Sequence, residues 1–181
     1  MISLSCWNGA GGCTWMKSQN KASLSNFQVL SNSSIWHLQQ ACRHAVHDGS
    51  LSLAFPNKLY NVVSQQQAND HILFILKTLK SVMKIYRRKY EEVGCDQHKL
   101  QIFLLDVDRQ IVELEQCAKN VVANKAQKRI FKKMETHFKR LISHLKKQDY
   151  SADGWNDIAG ALLKHLRRLD LLATKTKASL H

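Results

Sequence analysis

At 181 residues and 20.8 kDa the chain has the size of one domain, and 44% apolar residues suffice to build a core for it. One Pro and seven Gly are too few for sandwiches, barrels, collagen-like or disordered chains, and no apolar run approaches the roughly 18 to 20 residues that cross a bilayer. Lys and Arg outnumber Asp and Glu by 27 to 14, a net charge of +13 that calls for an anionic partner without choosing among nucleic acid, lipid, glycosaminoglycan and an acidic receptor face.

Residues 1–12 have neither the basic start nor the apolar stretch of a secretory leader, yet they close on Ala-Gly-Gly, small residues of the kind that precede a cleavage site. They read as a leader remnant or an unstructured N-terminus; an intracellular form follows if the chain starts at Met1. From Cys13 to about Ser31, Trp15, Leu24, Phe27 and Leu30 predict a first helix. Residues 32–55, with Asn32-Ser33-Ser34 and Asp48-Gly49, predict a long irregular crossover. Phe55-Pro56 opens the next helical unit, since Pro fits a first turn. Ile72, Ile75, Leu76, Leu79, Val82, Met83 and Tyr86 then make a core stripe, broken at Gly94.

The stripe resumes with Leu100, Phe103, Leu104, Val107, Ile111, Leu114, Ala118 and Val121, flanked on the solvent side by Asp106 and Asp108. From Asn124 to Lys147, Ile130, Phe131, Met134, Phe138, Leu141, Ile142 and Leu145 share a face, while nine Lys and Arg against the single Glu135 cover the other. This helix holds more than half of the net charge. Ser151 or Asp153 can cap the last helix, marked by Trp155, Ile158, Leu162, Leu166, Leu169 and Leu172. A helical domain over 13–175 and a polar tail over 176–181 follow. Such stripes bury themselves only against one another, which predicts an all-α bundle. The long early link allows an up-up-down-down order.

Five cysteines, Cys6, Cys13, Cys42, Cys95 and Cys117, form no CxxC pair, and their wide spacing fits one or two long-range disulfides and an oxidising compartment. Cys42, His44 and His47, with His37, are the one group that spacing offers to zinc, but exposed histidines are the favoured reading and no metal or cofactor is expected. No GxSxG, HExxH, P-loop or GxGxxG is present, so no catalytic residue is assigned and no enzyme is expected. Asn32-Ser33-Ser34 is a glycosylation sequon in the predicted loop.

Five segments occur in an order that carries further meaning: Cys13-Thr14-Trp15, Phe55-Pro56-Asn57-Lys58-Leu59-Tyr60, Leu114-Glu115-Gln116-Cys117, Phe138 to Leu145, and Tyr150-Ser151-Ala152-Asp153-Gly154-Trp155. In this respect the chain resembles the type I interferons, the fish-like branch in particular. The resemblance implies a five-helix cytokine bundle with a long first crossover loop, secreted, monomeric and not catalytic. It implies a Cys13–Cys117 disulfide, whose closure of about 100 residues is worth roughly 4 to 5 kcal/mol before strain. Asp153 stands where many members carry a cysteine, so their second bridge cannot form, and Cys42 resembles its orphaned partner; a Cys42–Cys95 pair is left open.

The resemblance also implies that a heterodimeric class II cytokine receptor is bridged to start antiviral JAK-STAT signalling. One receptor chain would meet Arg43, Ala159, Leu163, Lys164 and Arg167, and the other the opposite face, around Pro56 and Asp70 to Lys84. The alternative is a cationic helical protein that binds anionic membranes or heparan-like polyanions through Lys128, Arg129, Lys132, Lys133, Lys139 and Arg140. No nucleic acid is expected, since no zinc finger or RRM-type aromatic motif accompanies the charge.

Overall fold

The computed structural model describes residues 12–20, 22–45, 53–87 and 94–180; Cys6, His47 and the first eleven residues, on which the leader reading falls, lie outside them. After a 3-10 turn at Thr14–Met16 the described residues form six helices: α1 Asn26–Ala41, α2 Asn57–Ser64, α3 Ala68–Tyr86, α4 Gln97–Ala118, α5 Lys125–Lys147 and α6 Ala152–Ser179. No strand occurs among the described residues.

The first helix departs from expectation. It starts at Asn26, because Ser25 and Gln28 form a capping box: Ser25 Oγ accepts from the Gln28 amide at 3.1 Å and Gln28 Oε1 from the Ser25 amide at 3.0 Å. It then runs through Asn32-Ser33-Ser34, where a loop was expected. Serine hydroxyls disfavour a helix by competing for its backbone, but here they are engaged. Ser34 Oγ donates to Ser31 O at 2.8 Å, and Ser33 Oγ reaches Asp106 Oδ2 on α4 at 2.9 Å. Asp106, expected on the solvent side, is therefore mostly covered and also bonds His37 Nδ1 at 3.0 Å.

Contacts between helix ends fix the directions. Asp96, before α4, donates its amide to Ala41 O at the end of α1, so α1 and α4 are antiparallel. Gln28 meets Thr174, and Lys177 Nζ reaches Ser23 O, so α1 and α6 are antiparallel as well. His71, early in α3, meets Thr176, and Tyr86, at its end, stacks on Trp155 at 5.5 Å, so α3 also opposes α6. Thus α1 and α3 run up while α4 and α6 run down, closing a ring in which each packs on two neighbours. α5 lies outside, parallel to α3, its Gln127 bonded to Asp70, and antiparallel to α6; α2 rests on α3, α5 and α6.

Two disulfides pin opposite ends of the α1–α4 pair: Cys13–Cys117 beside the 3-10 turn, and Cys42–Cys95 where α1 ends and α4 begins. Cys42 is thereby spent as a zinc thiolate. Gly94 is needed beside the second bridge, since a Cβ there would sit 2.5 Å from Ala152 Cβ. The α5–α6 link turns through left-handed Asp149 and Tyr150, and Ser151 caps α6 by accepting from the Gly154 amide at 3.1 Å. α6 continues through Ser179, so most of the predicted polar tail is helical; Thr176 is fully buried against His71.

Candidate binding faces

α6 touches α1, α2, α3 and α5, so its buried arc is far wider than one stripe. Trp155, Ala159, Leu162, Leu163 and Leu166 fall at i, i+4, i+7, i+8 and i+11 on the core side. Ala159 and Leu163 are each 0% exposed and cannot touch a partner unless the bundle opens, which corrects their assignment as contact residues. Lys164 and Arg167 are partly exposed, and Arg43 is exposed in the turn after α1. By the Gln28–Thr174 register, Arg43 stands about level with Ala159, roughly 7.5 Å along the α6 axis from Lys164.

What the sequence reading missed on this face is Leu171, 65% exposed and seven residues beyond Lys164, two helical turns on the same side. Its spacing from Lys164 is visible in the sequence, but its exposure is not, because it sits in the run Leu169 to Leu172 whose other leucines point inward. Beside it, Lys175 Nζ donates to Ser64 O at 3.0 Å. Arg168 donates to Asn57 Oδ1 at 2.7 Å, and its guanidinium lies 4.9 Å from the Tyr60 ring centre. The outer strip of α6 is thus an exposed leucine among cations, with α2 clamped along one edge, an arrangement suited to a partner with an apolar anchor site and an acidic rim.

Behind that strip is a buried polar chain that the sequence reading did not find. Tyr60 Oη is 2.6 Å from His165 Nδ1, and His165 Nε2 is 2.9 Å from His137 Nε2. With both imidazoles neutral, the hydroxyl donates to His165 Nδ1 and His165 Nε2–H donates to His137 Nε2. Burial drives the His165 pKa well below the ordinary histidine value, helped by His137 and Arg168. Burial, with Arg140 nearby, lowers His137 to about 4. Burial likewise raises the Tyr60 phenol well above its usual range. Phe55 stacks on Tyr60 at 5.4 Å and lies tilted against His165 at 4.7 Å, sealing the group.

On α5, Lys128, Arg129, Lys132, Lys133, Lys139 and Arg140 are all exposed, while Ile130, Met134, Phe138, Leu141 and Leu145 are buried. The opposite face expected around Pro56 and Asp70 to Lys84 presents Lys77, Lys80 and Lys84 across a groove from α5. Asn32 is exposed, mid-helix on α1, so the sequon lies on a helix surface and not in a loop. No helix of the described residues is long and apolar enough to cross a membrane, and no group of three potential metal ligands converges among them.

The sequence model of the interferon alpha/beta domain matches residues 16–176. Interferon a3 of Oncorhynchus mykiss is 31% identical over 122 residues, spanning 67% of this chain and 66% of the length of that relative. Among solved structures, zebrafish interferon 1 superposes with a TM-score of 0.76 at 23% identity, covering 91% of this chain and 99% of the other, a likeness of fold.

Proposed function

The chain belongs to the interferon alpha/beta family, a family of secreted cytokines and not of enzymes, and on that premise we propose that it is itself a secreted antiviral cytokine acting through binding alone. In this reading it bridges two class II cytokine receptor chains on opposite faces, and their associated kinases start JAK-STAT antiviral gene induction. One receptor chain docks on the outer strip of α6 with the turn after α1, through Arg43, Lys164, Arg167 and Leu171. The other docks on the face formed by α2 and α3.

The observation that carries this reading is Leu171, a large apolar side chain held 65% exposed on an otherwise well-buried helix and bordered by Lys164, Arg167 and Lys175. An exposed apolar anchor inside a charged rim is the composition of an energetic centre in a protein interface. The test is reporter induction by the full chain in cells carrying a candidate receptor pair, with each receptor chain deleted in turn. Induction that needs both chains, and that falls on Leu171→Ala, supports the proposal; induction indifferent to receptor deletion overturns it.

A further inference from the structure

We propose that the outward face of α5 is a docking track for a linear sulfated polysaccharide. The helix is 23 residues long, about 34 Å at 1.5 Å per residue, and exposes nine Lys and Arg at positions recurring every three or four residues. Its one acidic residue, Glu135, lies 3.5 Å from Lys139 and leaves the rest of the row uncompensated along the helix. Across a groove of about 300 Å³, Lys77, Lys84 and Lys80, the last paired with Glu115 at 2.9 Å, add a second row from α3 parallel to the first, over a floor that includes Phe131 and Ile142. Two parallel rows of cations along a straight axis match an extended chain of regularly spaced anions.

The packing decides between polyanions and membranes. Membrane binding by a cationic amphipathic helix requires its apolar side to enter the bilayer. Here Met134, Phe138, Leu141 and Leu145 are at most 3% exposed and lie inside the bundle, so α5 cannot offer them without leaving the fold. Single-stranded nucleic acid is bound on aromatic platforms, whereas the aromatic residues of α5, Phe131 and Phe138, lie in the groove and the core. The choice of a polysaccharide over duplex nucleic acid rests on the secreted reading above, since sulfated chains are the polyanions of cell surfaces.

The experiment measures binding of the full chain to immobilised heparin across a salt series, with two triple variants that lower the net charge equally. Lys128→Gln/Lys132→Gln/Arg140→Gln removes the α5 row; Lys17→Gln/Lys99→Gln/Lys119→Gln removes cations from the 3-10 turn and α4. The α5 triple is expected to weaken binding about tenfold or more and to flatten the salt dependence, because fewer counterions are released. The control triple is expected to change affinity by less than about threefold. Equal weakening by both triples overturns the proposal, as does tighter binding to phosphatidylserine vesicles, to duplex DNA or to fully desulfated heparin. Heparin binding without receptor-dependent induction would overturn the cytokine reading and leave the track intact.

Discussion

His137 and His165 face each other through their Nε2 atoms at 2.9 Å, joining α5 to α6 across the interior with one shared proton between them. Two imidazoles so placed cannot both be charged, and Arg140 and Arg168 press on the same site. The pair therefore makes the fold sensitive to acid.

The sign is set by the lowered values. In the unfolded chain these histidines take up protons near their ordinary value of about 6.5, while the folded chain refuses them until about pH 4 at His137 and holds His165 well below that ordinary value. Their cost is absent above pH 6.5 and grows as the pH falls through that window; His71, lowered chiefly by burial, acts in the same direction. The midpoint of thermal unfolding is expected to fall between pH 7 and pH 4.5, and to fall less in His137→Gln, whose amide can still accept from His165. A midpoint flat across that range would show that the pair does not govern acid stability.

Leu163 and Leu171 are expected to separate folding from binding. Leu163 is fully buried, so Leu163→Ala should cost about 2 to 5 kcal/mol and act on signalling only through lost folded protein. Leu171→Ala should leave the unfolding midpoint within a degree or two and reduce reporter induction several-fold. Denaturant titration beside dose–response curves reads both; a Leu171→Ala protein of unchanged potency would exclude the α6 strip as a contact.

The two disulfides close chain separations of 104 and 53 residues, and the entropic gain grows only with the logarithm of that length. Removing either by paired Cys→Ser substitution should destabilise the protein by a similar amount, about 4 to 5 kcal/mol before strain is subtracted. Comparing the urea midpoints of the two paired variants checks this. A Cys42→Ser/Cys95→Ser protein as stable as the parent would mean that the α1–α4 contact holds that end unaided.

Asn32 is exposed on α1 while Ser34 is 3% exposed, so a glycan on Asn32 would extend into solvent without repacking the helix. Chain secreted from eukaryotic cells is expected to lose mass on enzymatic deglycosylation, and Asn32→Gln to abolish that loss. Identical masses before and after treatment would remove the site.

Gly94→Ala is expected to strain the approach of the α3–α4 connection to α6, since the new methyl would sit 2.5 Å from Ala152 Cβ. A lower unfolding midpoint, restored in part by Ala152→Gly, would locate the clash; an unchanged midpoint would show that the α6 terminus shifts freely.

The stripes of α3, α4, α5 and α6 are legible in the sequence because helical period is a local property: each apolar position repeats against the same helix axis whatever lies beyond it. The charge of α5 is legible for the same reason, since that helix packs on one side only. Period cannot say how many neighbours a helix has. α6 has four, so its buried arc widens beyond one stripe, with Leu163 at one edge and His165 at the other, and Leu171 is left as the exposed leucine in its run. α1 also escaped a local reading, because the groups that let Ser33 and Ser34 stay helical include Asp106, 73 residues away. The sequence by itself determined the all-α class, the core stripes and the cationic helix. The tertiary structure alone decided which polar side chains find partners across the bundle, and therefore how far the first helix runs, which histidines stay neutral and which part of α6 is left to meet a partner.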